Sequence, residues 1–183
     1  ADAAGEMLLL AFGGDRVDGS RYVVGELIAS GSGASEGMDG VDVIETDGTN
    51  CMNLPVEALE MDVPIRVHKT ELSTGSGGPG KFRGGLGLIR EYEILHGTVV
   101  FTHRGERHIH PARGLMGGEP GGKAYSKIKR RDGKEIVIKS KTVETLEMGD
   151  QILVQTAGGG GYGCPTERPE HLQRNDIADR KTL

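Results

Sequence analysis

Short apolar and alternating stretches punctuate this chain, each bounded by glycine or charge. Met7–Phe12 (MLLLAF) is continuous and apolar, which suits a buried strand. Arg21–Ile28 (RYVVGELI) reads as a strand or a short helix, and Val41–Ile44 is a brief β-branched run. Ile65–Leu72 alternates in part. Leu86–Leu95 (LGLIREYEIL) alternates more fully and places Leu88, Arg90, Tyr92 and Ile94 on one face. Thr98–Arg104 (TVVFTHR) carries the β-branched and aromatic residues that strands favour. Gly97 lies between these last two runs and predicts a hairpin. Lys123–Lys129 and Glu135–Lys139 flank Asp132-Gly133, a strong hairpin signal, and Gly149-Asp150 introduces a further strand at Gln151–Gln155. The helical signals are weak. Pro55 precedes VEALE with Asn53 as a cap, Pro64 ends that turn, and the polar stretch after Glu167 has a faint helical tendency. These elements predict a mainly β protein with a few short helices: a β-sandwich or barrel-like unit with glycine-rich loops, α+β being the alternative. Residues 1–165 read as one β-rich unit and 166–183 as a polar tail.

Composition sharpens this picture. The 183 residues include 31 glycines, far above the usual ~7%. They concentrate in STGSGGPGKFRGGLG at Ser73–Gly87 and GGGGYG at Gly158–Gly163. Glycine this dense opposes helix and ordinary strand, and it allows positive φ, close backbone approach or an anion-binding nest of amides. With aromatic residues at 4% and no Trp, the core must be aliphatic. The net charge of −5 argues against nucleic-acid binding, and the basic cluster Lys123–Lys141 is interleaved with acids like a solvated hairpin. Cys51 and Cys164 lack metal or disulfide spacing and read as free thiols of a cytoplasmic protein. No apolar run is long enough to cross a membrane. Ala1 is not a start Met, and no signal peptide is legible, so the expectation is a chain that opens in the middle of something larger.

Several constellations invite a chemical reading. His108 and His110 would share a face on a strand and, with Glu106 or His103, could hold a metal. Without a distant fourth ligand the expectation is a polar loop and no metal. Ser76 lacks the glycine spacing of a nucleophile elbow, and GPGKF at Gly78–Phe82 is not a P-loop. Cys51 has no adjacent base. Lys81, Arg83 and Arg90, set near bare glycine amides, are candidates for holding a carboxylate or phosphate, against the simpler reading of a glycine-built corner.

The ordered series Thr49-Asn50, Asn53–Glu60 (NLPVEALE), Ser76–Gly87 (SGGPGKFRGGLG), Gly114–Gly121 (GLMGGEPG) and Gly158–Gly163 resembles the carboxy-terminal part of the hydantoinase B / 5-oxoprolinase family. Gly75 and Cys164 depart from the family pattern, which has an acid before Ser-Gly-Gly and an acid or Asn after the last glycine motif. The resemblance implies a subunit of an ATP-dependent cyclic-amide hydrolase, or of a related acetone or acetophenone carboxylase, or a docking module of such a complex. It implies two protein partners: the rest of the B subunit, and a hydantoinase A-type subunit that uses ATP and Mg to phosphorylate the substrate. It places any divalent metal in the amino-terminal part and no cofactor in this segment. The candidate residues for substrate or anion binding, read from the glycine loops themselves, are Ser76, Gly77, Gly78, Lys81, Arg83, Gly84, Gly85, Gly159, Gly160 and Tyr162, with the catalytic residues left open.

Overall fold

The computed structural model describes residues 1–3, 8–45 and 51–182. Among these residues nine strands form two antiparallel sheets. They are β1 (Leu8–Asp15), β2 (Arg21–Ile28), β3 (Ile65–Leu72), β4 (Leu88–Ile94), β5 (Thr98–Arg104), β6 (Tyr125–Lys129), β7 (Glu135–Val137), β8 (Lys141–Glu147) and β9 (Gln151–Gln155). The first sheet has the order β2-β1-β5-β8 and the second β3-β4-β9-β6-β7. Neither closes on itself, so the unit is a sandwich and not a barrel.

Alternation builds the core. β4 buries Leu88, Arg90, Tyr92 and Ile94, the face read from the sequence, while β5 buries Val99, Phe101 and His103. Phe12 of the first sheet meets Tyr92 of the second with ring centroids 5.4 Å apart, and Phe101 at 5.1 Å. These aromatics sit among Leu10, Ile28, Ile65, Ile128, Leu146, Ile152 and Val154. Each such side chain contributes roughly 1.5–3 kcal/mol on burial.

Several local expectations need correction. β4 and β5 do not form a hairpin, because they belong to different sheets. Both edges of β4 are taken by β3 and β9, and both edges of β5 by β1 and β8. The link between them is stitched elsewhere: the Leu95 amide donates to the Pro64 carbonyl and the Met148 amide to that of Gly97. Arg21–Ile28 is a strand and not a helix. Val41–Ile44 is not a strand, since Val43 has φ 45° and only Ile44 bridges, to Ser30. β8 escaped the sequence reading because its charged alternation buries one side chain, Leu146. The short helix α1 (Val56–Asp62) begins after Pro55 with no side-chain cap, so Asn53 plays no such part. Met7, Thr49 and Asn50, which carried parts of the strand and motif readings, lie outside the described residues.

The polar stretch after residue 165 carries a 3-10 turn at Pro165–Glu167 and a second helix, α2 (Glu170–Ala178). Its sole buried residue is Asp176, which ties it to the glycine-rich region.

Candidate functional site

The glycine-rich segments converge at one end of the sandwich. Residues 31–41, 76–87, 112–122 and 157–163 run beside one another outside regular strands, linked by backbone hydrogen bonds. The Gly78 amide donates to the Gly159 carbonyl at 2.8 Å, Gly159 to Gly85 at 2.9 Å, and Gly85 to Ser32 at 2.8 Å. Gly84 donates to Gly78 and Gly160 to Asp2, both at 2.9 Å. These amides are therefore donors within a lattice of backbone and not a bare anion nest.

Positive φ does not explain these glycines. Gly77, Gly78, Gly84, Gly85, Gly159 and Gly160 all lack it. The requirement is closeness. A Cβ on Gly84 would overlap the Gly159 carbonyl, one on Gly85 the Val41 carbonyl, and one on Gly159 the Ser32 carbonyl. Gly77, Gly78 and Gly160 are blocked in the same way by the carbonyls of Gly84, Glu119 and Arg113. Backbone packs on backbone with no side chain between.

The other candidates divide. Ser76 is buried, its hydroxyl donating to the Ser73 carbonyl at 2.6 Å and accepting from the Gly87 amide at 2.9 Å. With both roles filled it pins a corner. Arg83 is 5% exposed and lies between Asp42 at 3.3 Å and Asp176 at 3.2 Å, while its backbone amide donates to Asp39 at 2.7 Å. Arg168 completes the network, meeting Asp176 at 2.6 Å and Asp39 at 2.8 Å, and Lys181 meets Asp42 at 3.2 Å. Burial alone would raise the Asp39 carboxyl, but hydrogen bonds from Arg168 and the Arg83 amide outweigh it and hold the group below the usual carboxylate range. Asp39, Asp42 and Asp176 thus meet Arg83, Arg168 and Lys181 in one network, and all of these but Arg168 line a cavity of about 320 Å³ between the lattice and α2, where Asp179 adds a further carboxylate. Lys81 and Tyr162 lie at the rim of the lattice and do not line this cavity. Lys81 is half-exposed, 3.4 Å from Glu167, and Tyr162 pairs through its backbone with Phe82.

Arg90 is not near the glycine loops at all. It is 1% exposed inside the sandwich, with Nη1 2.7 Å from Glu26 Oε1. The Tyr92 hydroxyl donates to Glu26 Oε2 at 2.5 Å. Burial pushes Glu26 up, against the pull of Tyr92 and Arg90. The sequence held a signal for this pair, an arginine at an inward position of an alternating strand, but nothing in it indicated Glu26 as the partner.

The histidines share no strand face, because residues 105–110 form bends and His110 is exposed. His103 is fully buried. Its Nδ1 donates to the Ser140 carbonyl at 3.1 Å, which leaves Nε2 to accept from the Ser126 hydroxyl at 2.9 Å. Burial, with His108 beside it, pushes the imidazole down to about 4. Among the described residues no group of three His, Cys, Asp or Glu is placed to hold a metal. A pH dependence follows. The unfolded His103 titrates near 6.5 and the folded one near 4, so the unfolded chain binds more protons between those values. Stability should be intact above pH 6.5 and fall on the way to pH 4 by on the order of 3 kcal/mol. Glu26, whose folded pKa is raised, works in the opposite direction. Denaturation midpoints measured from pH 7 to 4 should therefore drop in the parent and flatten in His103→Gln. Parallel slopes would count against the buried neutral imidazole.

The sequence pattern described as Hydantoinase B/oxoprolinase matches residues 1–165, a span that takes in both sheets and the whole lattice. This chain belongs to the hydantoinase B/oxoprolinase family. A 5-oxoprolinase of Dictyostelium discoideum is 37% identical over 138 residues, 75% of this chain and 11% of that protein. The caprolactamase subunit beta of Pseudomonas jessenii is 35% identical over 153 residues, 78% of this chain and 26% of that one. The solved ATP-dependent caprolactamase of the same organism superposes on 99% of this chain with a TM-score of 0.80 at 26% identity, covering 32% of its own chain. Nucleotide-free acetone carboxylase shares the fold, with a TM-score of 0.83 at 22% identity over 100% of this chain and 29% of its own. The hydantoinase B fold here thus spans between a tenth and a third of the length of these relatives. No helix among the described residues is long and apolar enough to cross a membrane.

Proposed function

We propose that this chain is the carboxy-terminal part of a B-type subunit in an ATP-dependent cyclic-amide hydrolase of the cytoplasm. In this reading a hydantoinase A-type partner binds ATP and Mg and phosphorylates the carbonyl oxygen of a ring amide. The B-type subunit then assists ring opening by water, and any divalent metal sits in its amino-terminal part. Activation by phosphorylation turns a poor electrophile into a good one, and shielding from bulk water keeps it until it reacts. The contribution of this chain is a rigid frame. Gly77, Gly78, Gly84, Gly85, Gly159 and Gly160 hold the frame, Ser76 and Arg83 lock it, and in this reading Lys81 and Tyr162 at its rim are the residues that would meet an anionic intermediate.

One observation carries the reading. The likeness to the caprolactamase runs through both sheets and the lattice together and is not confined to one motif. The test is to purify the B-type protein with its A-type partner and follow ATP consumption with hydantoin, 5-oxoproline and caprolactam. ATP use coupled to ring opening only when both components are present is expected. This chain alone should show no heat with Mg-ATP in calorimetry, since its sequence carries no P-loop. Micromolar binding there would overturn the division of labour. ATP use driven by a ketone and bicarbonate, and not by any ring amide, would reassign the complex as a carboxylase.

A further inference from the structure

The two outer faces of the sandwich are built differently. The outer face of the second sheet carries cross-strand polar pairs suited to water: a His68–Glu93 hydrogen bond at 2.6 Å and a Lys127–Glu135 ion pair at 2.7 Å. The first sheet has none in its middle. Its register aligns Gly25, Ala11, Thr102 and Val143 in one row, and Val23, Gly13, Val100 and Thr145 in the next. Those eight positions hold no charge. Val23, Val100 and Val143 are exposed by 83%, 51% and 69%. A solvated sheet face would normally be polar at such positions.

The middle of this face is also hollow. Along β1 the side chains shrink to Ala11 and Gly13, with Val23 rising on one side and Val100 on the other. A depression of about 510 Å³ follows that line. The fold itself does not require these glycines. A Cβ on Gly13 would meet nothing nearer than 3.7 Å, and one on Gly25 nothing nearer than 3.8 Å, unlike the blocked positions in the lattice. Neither has positive φ. Their bareness makes room for something outside the chain. The distance from β2 across β1 to β5 is two strand spacings, about 10 Å, which is the diameter of an α-helix with its side chains.

We infer that the outer face of β2-β1-β5 is the seat of an α-helix from the portion of the B-type subunit that the relatives carry outside the matched region. This rests on the reading of the chain as part of a B-type subunit. It also rests on the relatives' lengths: about two thirds or more of each of their chains lies beyond the likeness, and one apolar sheet face here has no second layer among the described residues.

A photo-crosslinking residue placed at Val100, in the protein expressed in its source organism, tests this by mass spectrometry of the linked peptides. Val137 is the control, a valine at least as exposed, on the outer face of the second sheet. The expected result is a link from position 100 to a helical peptide of the B-type subunit outside the matched region, whether in the same polypeptide or a companion one, and no such link from position 137. Gly13→Leu should keep the parent's melting temperature, because a Cβ fits there, yet lower the position-100 link at least tenfold. A link to an A-type subunit, a link to a second copy of this chain, or no link at all would overturn the inference. The readout is assembly and not turnover. A complex that links as expected but opens no ring amide leaves the docking surface standing and defeats the hydrolase reading. An active complex without the link does the reverse.

Discussion

Gly84→Val is expected to abolish the cooperative melt of this protein, while Lys81→Ala leaves it unmoved. A valine at Gly84 would drive its Cβ into the Gly159 carbonyl. That carbonyl accepts from the Gly78 amide, and the Gly159 amide donates to Gly85, so neither side can retreat without breaking the lattice. Overlaps with flexible side chains relax, but overlaps with hydrogen-bonded backbone do not. The expected loss exceeds about 4 kcal/mol, in the range reserved for the most disruptive single changes. Gly84→Ala should be nearly as damaging, because the clash begins at Cβ. Lys81 is half-exposed and its ion pair to Glu167 spans 3.4 Å at the surface. Its truncation should cost no more than about 0.5 kcal/mol. Thermal melts of the three variants in the assembled complex decide the matter. A Gly84→Val protein that melts like the parent would refute the lattice. If Lys81→Ala abolishes turnover at an unchanged melting temperature, the rim lysine binds the anion directly.

Glu26→Ala and Arg90→Ala should each destabilise the fold by about 3–5 kcal/mol, because each leaves its partner as an uncompensated charge in the core. Tyr92 would lose the acceptor of its hydroxyl in the first variant as well. The double replacement Glu26→Leu with Arg90→Met should recover most of that loss, since apolar groups of similar size often match a buried pair in stability. Urea midpoints of Glu26→Leu, Arg90→Met and the variant carrying both form the cycle. If the double loss equals the sum of the single ones, the pair is not coupled and the assignment fails. Glu26 sits on β2 and Arg90 on β4, so the pair joins the two sheets across the core. An ion pair fixes their relative position by direction as well as by contact, which apolar packing alone does not.

The strands that bury one full face were legible from alternation, because a side-chain period of two is a local property. β4 and β9 read directly, and the Asp132-Gly133 turn announced the β6–β7 hairpin. β8 was not legible, since an edge strand with one buried side chain looks like any charged segment. The β4–β5 hairpin was misread because closeness in sequence says nothing about which edges are already taken by distant strands.

By itself the sequence determined that the chain is mainly β, that its glycine segments are set apart, and that their order resembles one family; the low aromatic content pointed to an aliphatic core, yet folding gathered Phe12, Tyr92 and Phe101 at its centre. What those glycines do was decided only by the tertiary structure. The same residue type is obligatory at Gly84, where another backbone occupies the space of a Cβ, and optional at Gly13, where the space is open. The partners of Arg83 and Arg90 were decided there too, because a charge declares its need for a counter-charge locally but meets it through contacts as distant in sequence as Asp176 and Glu26. Periodicity and composition are written along the chain, whereas exclusion of volume and pairing of charge exist only between segments that folding brings together.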